Sequence, residues 1–208
     1  MEEISPHLIF ETEWEVSAKT EIGYHKQSLH NSPFCGDAYD FWHKDGITHL
    51  VMADGLGHGN LAELAAVAAL DHIRNNTDKD FADLFRGCDA AIRHTRGVAM
   101  GVARIDEKTG LLRYAGIGNT RAMVFSQEKM TRLTSNFGIV GGGFRKLFIE
   151  EKQLLPNDLV IMFTDGLHER ANITAYGAEG DLMALAYRIF QDYHIVRDDA
   201  AIMIYRMT

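Results

Sequence analysis

Two apolar runs along the chain end in an aspartate followed by a glycine. Residues 50–53 lead into Asp54, and residues 159–164 lead into Asp165. Short runs that are apolar on both faces and bounded by turn residues are typical of buried strands. The pattern therefore predicts two core strands, each with a carboxylate at its exit.

Two further acids stand at the entry of strand-like segments. Asp37 precedes a segment that leads to Asp45-Gly46, a hairpin signal, and then to the run that ends at Asp54. Asp37 and Asp54 are thus predicted at the same end of one hairpin. Asp198 precedes a final strand at 201–205. In an antiparallel sheet, the end of one strand lies beside the start of its neighbour, at the same edge of the sheet. The sequence therefore predicts that the four acids form a cluster.

The remaining periodicity predicts helices, further strands and one loop. Apolar positions recur every three or four residues in three helices: Leu61, Leu64, Ala65, Ala68, Ala69 and Ile73; Phe81, Leu84, Phe85, Cys88 and Ile92, with Asp80 as N-cap; and Leu182, Leu185, Ala186, Ile189 and Phe190. Strands are predicted at 14–19, 98–105, 111–117, 121–125 and 144–154, with a mobile glycine-rich loop at 135–143. Hairpin-linked strands with helices segregated along the chain predict an α+β fold of packed sheets flanked by helices.

Length and charge narrow the classes of function. The 208 residues suit a single domain, 1–208, in which 1–12 form a loose lead-in. The net charge of −8, without a basic block, argues against nucleic acid and anionic membranes as partners. No apolar run is long enough to span a bilayer. The start of the chain lacks a secretory pattern, and two cysteines fit a reducing compartment, so we expect a cytoplasmic protein.

Clustered carboxylates need a cation. Two carboxylates about 4 Å apart repel by about 4 kcal/mol at an effective dielectric constant near 20. Hard oxygen ligands suit Mg²⁺ or Mn²⁺, and two such ions can activate a water for in-line displacement at phosphorus. Because the sequence offers no covalent nucleophile, metal-activated water is the simpler hypothesis.

The ordered acidic motifs resemble a known family. Gly36-Asp37, residues 54–59 (DGLGHG), residues 164–166 (TDG) and Asp198-Asp199 are similar to the motifs of PPM-type metal-dependent serine/threonine phosphatases. The SpoIIE-like bacterial branch fits best, and within it the short RsbX-like phosphatases that act on phosphorylated stressosome proteins. The resemblance covers roughly residues 30–206.

The resemblance implies a fold, a ligand set and partners. The fold is a four-layer α/β/β/α sandwich of two antiparallel sheets. Asp37, Asp54 and the Gly55 carbonyl would bind one metal ion, and Asp54, Asp165 and Asp198 a second, with Asp54 bridging. The cofactors would be two ions of Mn²⁺ or Mg²⁺, and the partners would be phosphorylated signalling proteins of the stressosome type. Leu56 occupies the position where eukaryotic members carry a histidine, so the resemblance supplies no general acid.

Other interpretations remain open. A catalytically silent module could keep the scaffold and dock a signalling partner. A nucleotide-binding loop at Gly55 and Gly57 fits less well, since the dinucleotide fingerprint requires a glycine where Asn60 stands. His58 is more typical of a helix start than of a catalyst, and Asp199 of a supporting residue than of a ligand.

Overall fold

The computed structural model describes residues 21–168, 173–177 and 179–208. The predicted lead-in at 1–12 and the predicted strand at 14–19 lie outside these ranges.

Thirteen strands and three α-helices are present in the described residues. The helices are α1 (Asn60–Asn75), α2 (Phe81–Ala91) and α3 (Leu182–Tyr193), with 3₁₀ turns at Leu29–Asn31 and Ile173–Tyr176. The strands are β1 (Glu21–Gln27), β2 (Asp37–Lys44), β3 (Ile47–Gly55), β4 (Val98–Asp106), β5 (Leu111–Ile117), β6 (Arg121–Ser126), β7 (Lys129–Leu133), β8 (Ser135–Asn136), β9 (Gly138–Ile139), β10 (Gly143–Phe144), β11 (Ile149–Gln153), β12 (Leu159–Phe163) and β13 (Ala200–Arg206).

Most strands belong to two antiparallel sheets. The first sheet has the order β11-β5-β4-β3-β2, with the short β8 added in parallel to β5. The second sheet has the order β1-β13-β12-β6-β7. The remaining pair, β9 and β10, forms a small separate ribbon.

Three apolar layers hold the elements together as a sandwich. One lies between α1, α2 and the first sheet, and it includes Val51, Val102 and Phe85. The second fills the space between the two sheets, and the third lies between the second sheet and α3. The order helices, sheet, sheet, helix confirms the predicted α/β/β/α architecture.

Helix α1 matches only part of the stripe predicted for it. Ala65, Ala69 and Ile73 are buried as predicted. Leu61 and Leu64 are each 55% exposed, whereas Ala62 and Ala66 are buried. The reason is close approach: a Cβ on Gly55 would lie 2.1 Å from the carbonyl oxygen of Ala62. Only the small alanines can face the sheet at that distance, so the larger leucines turn outward.

The other predictions of elements on described residues are confirmed with three exceptions. The loop predicted at 135–143 contains β8, β9 and the first residue of β10. Asp80 caps α2 by accepting a hydrogen bond from the backbone N–H of Asp83. The single strand predicted at 144–154 is wrong, because only β10 and β11 form there and residues 145–148 do not pair. Strand β7 was not predicted, since four of its five residues are not buried and its polar pattern carries no core signal. None of the described helices is long and apolar enough to cross a membrane.

Candidate metal centre

The β2–β3 hairpin places two of the predicted aspartates side by side. Asp37 and Asp54 are register partners across this hairpin. The backbone continues the pairing beyond the strands, since the N–H of Gly55 donates to the carbonyl oxygen of Gly36 at 2.9 Å. The sequence prediction that both acids lie at one end of the hairpin is confirmed.

The second sheet brings the other two aspartates to the same edge. Asp165 follows β12 and Asp198 precedes β13, and these strands are antiparallel neighbours. Burial, followed by the nearby charges of Asp165 and Asp198, raises the pKa of Asp54 to about 8. Asp54 is close enough to Asp165 for the two carboxyl groups to share a hydrogen bond. The four acids therefore converge from four strands of two sheets.

Asp37 is the most deeply placed of the four. Its side chain is 2% exposed. Burial raises its pKa well above the ordinary value, and the charge of Asp54 adds to this effect. A buried carboxylate beside another carboxylate is costly unless a proton or a cation neutralises the pair.

Thr164 is a functional residue that the sequence reasoning missed. Its hydroxyl donates to Oδ2 of Asp37 at 2.5 Å and accepts from the backbone N–H of Ala201 at 2.9 Å. The side chain is fully buried. Thr164 thus joins an acid of the first sheet to a strand of the second. Its position directly before Asp165 was the only available signal.

Asn119 is a second missed residue. Its Nδ2 donates to Oδ2 of Asp165 at 2.5 Å, and the same side chain also lowers the pKa of Asp54 by hydrogen bonding. It lies in the β5–β6 turn, and its own backbone carbonyl accepts from Arg121 at 2.8 Å. An asparagine in a turn is typical of a residue that fixes a hairpin, and Asn119 also orients an acid of the cluster.

Asp199 anchors the segment before Asp37. It is 3% exposed, and its two carboxylate oxygens accept backbone N–H groups of Leu29 at 2.7 Å and of Gly36 at 2.8 Å. Asp198 is exposed, and its Oδ1 accepts from the N–H of Asp199 at 2.9 Å. The two adjacent aspartates therefore have different surroundings: Asp199 is saturated by backbone donors, while Asp198 faces the cluster.

The glycines after the two strand exits are required by packing. At Gly166 an added Cβ would lie 1.9 Å from the carbonyl oxygen of Asp199. At Gly55 an added Cβ would clash with the backbone of Ala62 in the same way. Gly57 and Gly59 adopt positive φ, whereas Gly55 does not. Gly55 instead lets α1 pack directly behind the aspartates.

The glycine-rich loop lies beside the cluster and is held by hydrogen bonds. Asp89 of α2 accepts the backbone N–H groups of Gly141 and Gly143, each at 2.9 Å. Val140 bridges to Val98 of β4. These contacts attach the loop to the helix layer, whereas the sequence predicted a mobile segment.

The donor set fits hard divalent cations. Carboxylates with raised pKa values crowd at one edge, and a proton shared between Asp54 and Asp165 offsets part of their repulsion. In the described part of the chain, no three His, Cys, Asp or Glu side chains already enclose a metal position. We therefore expect the carboxylates to change rotamer when a cation replaces the shared proton.

Comparison with known proteins places the chain in a family. The family model for stage II sporulation protein E (SpoIIE) matches residues 44–207. The chain therefore belongs to the SpoIIE family, whose domain is of the PP2C type of serine/threonine phosphatase.

Particular relatives agree with this class. Phosphoserine phosphatase RsbX of Bacillus subtilis (strain 168) is 28% identical over 136 residues, which are 64% of this chain and 68% of RsbX. A second relative is a structure from a study of the bacterial stressosome, which that study describes as a modular system adapted to control secondary messenger signaling. It superimposes with a TM-score of 0.86 at 27% identity, and the match covers 90% of this chain and 100% of that one. RsbX in complex with magnesium has the same fold, with a TM-score of 0.81 at 21% identity over 91% of this chain and 96% of that one.

Proposed function

We propose that the protein is a metal-dependent phosphoserine/phosphothreonine protein phosphatase. The observation that carries the proposal is the convergence of Asp37, Asp54, Asp165 and Asp198 at one edge, together with the raised pKa values of the first two. Membership of the SpoIIE family supports the same activity.

We propose a division of ligands between two ions. Asp37, Asp54 and the Gly55 carbonyl would hold one, and Asp54, Asp165 and Asp198 the other. Mg²⁺ and Mn²⁺ suit such oxygen donors, and the structure of RsbX with magnesium supports a divalent metal. When bound, the ions supply an activated water and neutralise charge on the phosphoryl oxygens.

The chain's own residues prepare the ligands. Thr164 keeps Asp37 in one orientation, because its hydroxyl is itself fixed by a backbone donor of the neighbouring strand. Asn119 does the same for Asp165. Groups that orient metal ligands commonly change metal affinity about 10- to 100-fold when removed.

The proposed substrates are phosphorylated signalling proteins of the stressosome type. Support comes from the similarity to RsbX and to the protein solved in the stressosome study. Exposed Asp198 and His58 lie at the accessible side of the cluster, where a phosphorylated side chain can approach.

The experiment is hydrolysis of phosphoserine and phosphothreonine peptides with Mn²⁺ or Mg²⁺ titrated in. We expect activity that depends on the metal and is lost in Asp54→Asn and Asp165→Asn. Asp45→Asn, in the exposed β2–β3 turn, is the matched control and should retain full activity. Full activity in excess chelator would refute the proposal. Metal binding by calorimetry without turnover on any phosphopeptide would instead favour the silent docking module.

A further inference from the structure

A cavity of about 520 Å³ lies at the end of the first sheet remote from the aspartates. Its floor is formed by the first residues of β3 and β5 and the last residues of β4. The connection between α1 and α2 forms one wall, which includes Asp78 and Phe81, and β11 contributes Ile149. Because β3 carries Asp54 near its other end, this cavity and the metal centre are separate sites.

A row of side chains crosses the helix-facing side of the sheet in this region. Trp42, His49, Arg104, Arg113 and Glu151 are successive register partners on β2, β3, β4, β5 and β11. The rings of Trp42 and His49 stack at 4.9 Å. Two arginines placed directly opposite each other on neighbouring strands repel, so this row favours a nearby negative charge.

Most of the cations in this region already have a carboxylate partner. Arg113 donates to Glu151 at 2.8 Å, and Lys44 donates to Asp78 at 2.8 Å. Arg104 has no such partner among the described residues. Its Nη1 donates to the carbonyl oxygen of Lys79 at 2.9 Å, and its guanidinium lies 4.7 Å from the ring centroid of Phe81.

The other edge of the Arg104 guanidinium is without an acceptor. Its Nε and Nη2 are buried and make no hydrogen bond to any described residue. Burial lowers the pKa of Arg104, and the carboxylates of Asp78 and Asp80 oppose that shift from beyond hydrogen-bonding distance. These two N–H groups form the fork that binds carboxylate or phosphate oxygens in pairs.

Of the five acids that line the cavity, Asp45 lies in the exposed β2–β3 turn, Glu151 is paired with Arg113, and the other three are engaged elsewhere. Asp78 is paired with Lys44, and Asp80 caps α2. Asp106 accepts the backbone N–H groups of Lys108 and Thr109. These carboxylates therefore lower the local positive potential without satisfying the free edge of the guanidinium.

His49 adds no positive charge to the cavity. Burial, followed by the charge of Arg104, lowers the pKa of His49 to about 4. At neutral pH the imidazole is uncharged. The rest of the lining includes the apolar side chains of Ile47, Phe81, Leu111 and Ile149.

We propose that this cavity binds a small organic anion. The guanidinium of Arg104 turns its buried edge toward the cavity, so that one carboxylate or phosphate group pairs with Nε and Nη2, and an apolar body packs against Leu111 and Ile149. The volume is within the usual range for small-molecule sites, which are mostly apolar with a few placed polar groups. The site is independent of the proposed phosphatase activity.

The test uses the full chain without metal, so that the aspartate cluster cannot bind the probe through an ion. The probe is 4-(trifluoromethyl)phenylphosphonate, and binding is followed by fluorine NMR. We expect saturable binding of the phosphonate and none of the neutral analogue 4-(trifluoromethyl)benzyl alcohol. Equal binding of the neutral analogue would overturn the proposal, as would the absence of saturable phosphonate binding at millimolar concentration.

Variants locate the probe. Arg104→Met keeps an apolar contact with Phe81 and should weaken binding about 10- to 100-fold, the value of a charge-assisted pair of hydrogen bonds. Arg86→Met, on the exposed side of α2, is the matched control and should bind like the parent protein. Unchanged affinity in Arg104→Met would refute the assignment.

A second variant covers the case in which Arg104→Met fails to fold. Ile149 lies on the edge strand β11 and is 41% exposed, so Ile149→Glu can be accommodated without disturbing the core. The added carboxylate at the wall of the cavity should abolish phosphonate binding. Retained binding in this variant would also overturn the proposal.

Discussion

In the metal-free protein, the crowded aspartates should make stability fall as the pH rises. The ordinary pKa of an aspartate is 3.8, and burial beside Asp165 raises that of Asp54 to about 8. Between these two pH values the folded chain holds a proton that the unfolded chain has released. The free energy of unfolding therefore decreases with pH throughout this window, and it is highest at the acidic end.

The magnitude follows from the shift. One proton of difference changes the free energy of unfolding by about 1.4 kcal/mol per pH unit, which amounts to about 4 kcal/mol between pH 5 and pH 8. Asp37, whose pKa is also raised, adds to the slope. Replacing Asp54 by asparagine removes one titrating group, so the variant should be more stable than the parent at pH 8 and similar at pH 5.

The assay is urea unfolding in chelator at several pH values between 5 and 8, for the parent, Asp54→Asn and the exposed control Asp45→Asn. We expect the control to follow the parent and Asp54→Asn to show a clearly smaller slope. With Mg²⁺ or Mn²⁺ the order should reverse at pH 8, because ion binding stabilises only the intact site. Identical slopes for the parent and Asp54→Asn in chelator would refute the reasoning.

Three further substitutions test how the site is held. Thr164→Val leaves the buried carboxylate of Asp37 without its hydroxyl donor and should cost about 1–3 kcal/mol in the free energy of unfolding of the metal-loaded protein, as measured by urea. Asn119→Ala removes the donor to Asp165 and should weaken metal affinity about 10- to 100-fold in calorimetry, with less effect on the melting temperature. Gly166→Ala forces a Cβ into backbone 1.9 Å away and should destabilise the fold by more than about 3 kcal/mol.

Matched controls separate these effects from general damage. Thr164→Ser keeps the hydroxyl and should restore most of the stability lost in Thr164→Val. Asn119→Gln keeps an amide donor, so it should retain more metal affinity than Asn119→Ala if hydrogen bonding is the cause. Gly87→Ala on α2 places its Cβ 3.0 Å from Nε2 of His72, the far end of a side chain, and should be tolerated. A Gly166→Ala protein as stable as the parent would contradict the packing argument.

Local patterns were sufficient to predict the main elements of the fold. The Asp45-Gly46 turn fixed the register of the β2–β3 hairpin, so the pairing of Asp37 with Asp54 followed from sequence spacing alone. Helix α2 was equally predictable, because Asp80 and the apolar positions after it signal both its start and its inward face.

Features that depend on distant contacts were not predictable in this way. The orientation of α1 is set by how closely Ala62 approaches Gly55, whereas the sequence predicted that Leu61 and Leu64 face the core. Thr164 and Asn119 have no distinguishing local pattern, since their importance comes from acceptors 127 and 46 residues away in the chain. The relation between the two sheets determines those contacts, and periodicity in a single strand contains no information about it.

The position of the aspartates links the chemistry of the site to the cohesion of the sandwich. Asp37 and Asp54 belong to the first sheet, while Asp165 and Asp198 belong to the second, so their mutual repulsion acts to separate the sheets at that edge. The Thr164 hydroxyl opposes this separation by joining Asp37 to the N–H of Ala201 across the two sheets. A cation shared between the acids would act in the same direction as this hydrogen bond. The residues that would bind the ions are therefore also those whose charge must be offset for the sheets to remain packed, because a buried charge at a layer boundary is stable only when it is paired.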